Sequence, residues 1–189
     1  MTLDPYDDPE MTALGMVVET GRGSLPFALI HGESLVACAA WALGEAEVTV
    51  VDASVPWSGI REAAEPFVLH DALCPMTPAA FIAACVRTAV ADDVVVVGVH
   101  AVADTVKTVA DGLVGATVDR AALVEVWSPI VLPASGCGLL ELPALDSFAR
   151  VAADLRAHAE VRLVAAPPGA RRVAAVDDLR LLEALSPPR

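Results

Sequence analysis

Strands and helices alternate along this chain, and the alternation predicts an α/β fold: a three-layer sandwich around a mostly parallel sheet. Two further observations support that class. Residues Asp93 to Val99, DVVVVGV, are apolar on both faces, as a central strand covered by helices on each side must be. Hydrophobic residues make up 56% of the 189 residues and aromatics only 4%, so the core must be Ala, Val and Leu, which suits close helix–sheet layers.

Leu14 to Val18 reads as a buried strand, followed by the glycine-bearing loop ETGRGSLP. Ser34 can cap a helix to Leu43 that carries Leu35, Cys38, Ala39 and Leu43 on one face. Glu47 to Val51 is a strand. Asp52 to Glu65, with Pro56 and Gly59, reads as irregular. Phe67 to Asp71 is the next strand. Thr77-Pro78 opens a helix to about Val90 with Phe81, Ile82, Cys85, Val86 and Ala89 inward. After the central strand, Val106 to Val109 and Val114 to Val118 flank Ala110-Asp111-Gly112, a hairpin signal. Asp119 is placed to cap a short helix to about Val126, and Ser128 to Leu132 reads as strand. An amphipathic helix from Pro143 to about His158, a strand Val161 to Ala165 and a helix Val176 to Leu185 complete the order.

The length suits one domain, residues 11–189, with residues 1–10 (MTLDPYDDPE) expected to be a disordered acidic leader. That leader lacks a secretion-signal pattern, and no apolar run is long enough to cross a bilayer, so a cytoplasmic location is expected. A net charge of −13 argues against nucleic acid or an anionic membrane as partner. It also means that any phosphate site must be assembled from few cations: Lys107 is the only lysine, and the arginines are scattered apart from Arg171-Arg172. The four cysteines are dispersed and expected to be reduced; His70 and Cys74 have no second pair at zinc-ligand spacing.

The most informative string is FVLHDALCP, Phe67 to Pro75. A buried strand surfaces there and delivers Asp71 at its carboxyl end, the sheet edge where α/β proteins bind ligands. An acid in that place commonly holds magnesium that carries nucleotide phosphates; taken alone, Asp71 reads more readily as a turn cap and His70 as a hydrogen-bonded core histidine.

LHDALCP at 69–75, ADTVK at 103–107 and TVDRAAL at 117–123 occur in that order, with a helix and a strand between the first two. Together they resemble the methylerythritol-phosphate cytidylyltransferase family, whose members carry V-H-D-A-A-R-P, then D-T-I-K, then D-R. The resemblance implies a Rossmann-like nucleotidyltransferase sandwich with a protruding β-arm, about residues 106–118, that embraces the partner of a homodimer. It implies transfer of CMP from CTP to a sugar-alcohol phosphate, with release of pyrophosphate and a need for Mg2+. By position, Asp71 would hold the metal and the α-phosphate, and Thr105 and Arg120 the acceptor phosphate. Gly21, Gly23 and Ser58 would fall on the nucleotide side. Arg22 and Arg172 would be the remaining catalytic cations, Arg172 standing where the family has a lysine.

The departures concentrate on the triphosphate side. The family's loop ends in proline-lysine, whereas this chain has Pro26-Phe27, and its loop is too short for the family's arginine. The arginine of the H-D-A-x-R-P motif is Cys74, and Trp127-Ser128-Pro129-Ile130 replaces Gln-Thr-Pro-Gln. Developing charge on phosphate needs donors already in place, and losing one costs on the order of 10²–10³ in rate. Two readings follow: a weakened transferase, or a silent dimeric binding or regulatory relative. A transferase with a changed acceptor is a third. Asp104, Lys107 and Arg120 are equally explicable as braces of the arm through charge pairs.

Overall fold

The computed structural model describes residues 12–139 and 145–187, so the expected leader lies outside the described residues. β1 (Ala13–Val18) leads through the glycine loop to β2 (Leu29–Ile30), β3 (Glu33–Ser34) and α1 (Leu35–Glu45). Next come β4 (Val48–Val50), α2 (Trp57–Ala63), β5 (Phe67–Asp71), α3 (Ala79–Asp92) and β6 (Val95–Ala101). A hairpin of β7 (Val106–Ala110) and β8 (Leu113–Val118) precedes β9 (Val124–Leu132). The chain then forms α4 (Phe148–His158), β10 (Val161–Ala165) and α5 (Val176–Leu185).

Six strands make one sheet in the order β10-β6-β9-β5-β1-β4. Neighbours are parallel except at β9, which runs antiparallel to both β5 and β6. Side-chain alternation sorts each central strand onto two faces. Phe67, Leu69, Val95, Val97, Ile130 and Leu132 meet α2 and α4 on one side. Val68, Val96 and Val131 meet α1 and α3 on the other. A third cluster docks α5: Leu179 and Leu182 pack on Ile30, Leu35, Cys38 and Val173. The three-layer reading therefore holds. No described helix is long and apolar enough to cross a membrane.

Gly98 lets the centre of this sheet close. The β6–β9 register shifts between Val97 and Val99, and a Cβ on Gly98 would stand 2.7 Å from the Ser128 carbonyl oxygen. In the hairpin turn both Asp111 (φ 51°) and Gly112 (φ 76°) are left-handed, as a two-residue turn that follows strand twist requires. Among the described residues the hairpin pairs only with itself and leaves Val109, Leu113 and Val114 exposed at 67%, 74% and 68%.

Several local expectations change. Asp52 to Glu65 is not wholly irregular. Trp57 and Ile60, one helical turn apart, bury against the sheet and create α2, which ends at left-handed Ala64 (φ 52°). Asp119 caps only a 3₁₀ turn, accepting from the Ala121 N–H at 3.0 Å. From Val124 the chain is strand, because Val124 and Val126 pair with Ala101 and Val99. The helix expected from Pro143 begins instead at Phe148, after the Ser147 cap; Pro143 itself lies outside the described residues. The Thr77 hydroxyl donates to the Cys74 carbonyl at 2.8 Å and does not cap α3.

Candidate functional site

The carboxyl end of β5 sits beside the end of β1, with Asp71 in register with Val18, so the loop leaving β1 folds back directly over Asp71. Gly21 (φ 75°) and Gly23 (φ 60°) make that reversal possible. A Cβ on Gly21 would also stand 2.9 Å from the Asp146 Cβ, so the loop is pressed against the start of α4.

The reversal turns Arg22 inward. Its Nε donates to Asp71 Oδ1 at 3.0 Å and its Nη2 to Oδ2 at 3.3 Å. Its Nη1 donates to the carbonyls of Thr20 (2.8 Å) and Asp146 (2.6 Å), and the guanidinium lies 5.6 Å from the centre of the Phe148 ring. From the far end of the chain, Arg172 Nε donates to Asp71 Oδ2 at 3.0 Å. The Leu73 N–H adds a fourth donor, to Oδ1 at 3.0 Å. Asp71 thus accepts two bonds on each oxygen, the full capacity of a carboxylate. The Arg22 and Asp71 side chains are 2% and 1% exposed, and Arg172 keeps 35%.

The support beneath the triad is polar too. Ser128 Oγ accepts the Asp71 N–H at 3.0 Å and is hydrogen-bonded to His70 Nδ1. Cys74 packs with Trp127 and Ala170, and burial, reinforced by the Asp71 charge, pushes its thiol well above the usual range. The nearby positive charges there are those of Arg172 and Arg22, from elsewhere in the chain.

Next to the triad opens a cavity of about 690 Å³. Arg171 and Arg172 line it together with Asp104, Glu125 and Asp146, and His100, Trp127 and Phe148 supply ring surface. His100 stacks flat on Trp127, centroids 4.2 Å apart and planes within 3°. Three carboxylates and two guanidiniums thus line it; Arg172 is paired with Asp71, Arg171 more distantly with Asp178, and Asp146 with Arg150.

Of the residues singled out from sequence, Arg22, Asp71 and Arg172 come together, with Gly21 and Gly23 shaping the loop. Ser58 is exposed on α2 and is not among the cavity residues. Thr105 is exposed at the base of the hairpin, likewise outside the lining. Arg120 is exposed and hydrogen-bonds the Ala103 carbonyl, so it fastens the hairpin to the loop before it. Among the described residues no ion pair joins Asp104, Lys107 or Arg120. Sequence reasoning missed His100, Glu125, Asp146 and Phe148. Arg171 carried a signal, as half of the one adjacent arginine pair.

Among known proteins, the family model described as "IspD: 2-C-methyl-D-erythritol 4-phosphate cytidylyltransferase" matches residues 50–140. No curated protein sequence matches the chain. Solved structures share the fold at low identity. The 2-C-methyl-D-erythritol 4-phosphate cytidylyltransferase of Thermus thermophilus is 18% identical at TM-score 0.65, with 90% of this chain and 96% of that one covered. A 4-diphosphocytidyl-2C-methyl-D-erythritol synthase is 16% identical at TM-score 0.67, over 92% and 97%. The Francisella tularensis cytidylyltransferase is 14% identical at 0.66, over 90% and 97%. The family model matches the stretch that carries the strand-end aspartate and the hairpin, and the fold is shared over nearly the whole length; over residues 50–140 the chain is similar to the 2-C-methyl-D-erythritol 4-phosphate cytidylyltransferase family.

Proposed function

We propose that this protein keeps the cytidylyltransferase fold but does not transfer CMP from CTP, and acts as a dimeric binding or regulatory relative. The observation that carries this reading is the saturation of Asp71. Its oxygens are filled by Arg22, Arg172 and the Leu73 N–H, so of the two cations expected to meet a triphosphate Arg22 is withheld altogether and Arg172 keeps only its Nη groups. An incoming triphosphate would have to break a buried ion pair, which costs about 3–5 kcal/mol, and then enter a cavity richer in carboxylates than in guanidiniums. The residues present do not fit a magnesium ion either. All four acceptor positions of Asp71 are taken by protein donors, which leaves that carboxylate none for a metal. The family match at residues 50–140 falls between the glycine loop and Arg172 and includes neither.

Pyrophosphate release from CTP with magnesium and 2-C-methyl-D-erythritol 4-phosphate is expected to stay at background. Phe27→Lys should remain silent, because Phe27 is 60% exposed and lies outside the cavity lining. Turnover by the unaltered protein near ordinary enzyme rates, about 1 s⁻¹ or faster, would sink the reading.

The hairpin supplies the dimer contact in this reading, since Val109, Leu113 and Val114 are exposed there far beyond what a lone two-stranded ribbon needs. Light scattering should give twice the chain mass for the unaltered protein and the single-chain mass for Leu113→Asp. A monomer in both cases removes the dimer from the proposal.

A further inference from the structure

Resting on the reading that the cavity no longer serves a triphosphate, we propose that it binds a small phosphomonoester that also carries a protonated amine. The anionic end is set by the adjacent Arg171 and Arg172. Arg172 spends only its Nε on Asp71, which leaves both Nη groups for the cavity it lines. Arg171 has only a distant partner, Asp178 at 3.8 Å, and its buried Nε has no hydrogen-bond acceptor. Two guanidiniums side by side match a phosphate dianion, which accepts forked donors.

The opposite requirement comes from Glu125 and Asp104. Glu125 stands directly across the β6–β9 ladder from His100, and its Oε2 accepts from Trp127 Nε1 at 3.1 Å. That bond aims the carboxylate while leaving Oε1 unused. Asp104 has no ion-pair partner among the described residues, and both acids line the cavity. A neutral polyol phosphate would offer these exposed acids only hydroxyl donors. An ammonium would answer them, beside the flat His100–Trp127 stack that gives the site an aromatic wall. A cavity of about 690 Å³ leaves room for a sugar-sized body together with both charged groups.

Calorimetry with matched pairs tests this without any turnover: glucosamine 6-phosphate against glucose 6-phosphate, and O-phosphoethanolamine against glycerol 1-phosphate. In at least one pair the amine member should bind about 10-fold tighter. Glu125→Gln or Asp104→Asn should abolish that preference, while Arg171→Gln weakens both members alike. These side chains are not buried, so unchanged melting curves will show that the variants fold. Equal binding within both pairs, no binding of any probe, or a preference that survives both acid substitutions would each overturn the proposal. CTP turnover with the amine preference intact would sink only the silent reading, so the two failures are distinguishable.

Discussion

Asp71→Asn is expected to lower folding stability by about 3–5 kcal/mol, seen as a reduced urea midpoint at neutral pH. The amide preserves shape but removes the charge that two guanidiniums share, and Arg22, 2% exposed, would be left as a desolvated cation. The sign separates structural from catalytic roles. An aspartate kept for metal or phosphate is commonly a strained site whose removal is neutral or stabilising. One that neutralises buried arginine is not. Arg22→Met added to Asp71→Asn should recover part of the loss, because an apolar replacement of a buried pair is often tolerated. A single substitution that leaves stability unchanged would show that water already reaches the triad.

Phe67→Ala is the second large effect, also about 3–5 kcal/mol. Phe67 is fully buried where β5 begins, in register with Leu14 on one side and Leu132 on the other. Its ring meets Trp57 edge-on, centroids 5.2 Å apart at 90°. Truncation therefore removes the chief support of α2 and empties the face under β5, the strand that carries Asp71. Denaturant melts followed by tryptophan fluorescence should show the loss. A cost below about 1.5 kcal/mol would mean that Trp57 and Leu132 collapse into the space.

Much of this architecture was legible because its signals are local. The all-apolar runs at Phe67 and Val95 marked buried strands, and Asp111-Gly112 marked a turn whose left-handed geometry those residues favour. The short helix α2 was not legible, since only Trp57 and Ile60 carry its periodicity and Pro56 and Gly59 hide it. The extent of β9 was hidden because Leu123 to Trp127 alternates weakly until paired with β6. The site divides the same way. Arg22, Asp71 and Arg172 were each identifiable as chemistry, but their mutual neutralisation depends on contacts across 49 and 101 positions that no local pattern encodes. His100, Glu125 and Asp146 belong to no motif and become visible only once three sheet-edge segments meet.

That separation along the chain bears on synthesis. While the polypeptide leaves the ribosome, Arg22 and Asp71 are both made before Arg172, which follows Asp71 by 101 positions. Until then one flank of the aspartate is bare. The nascent protein thus carries, for a time, a more accessible acidic corner than the finished molecule, and docking of the tail seals it.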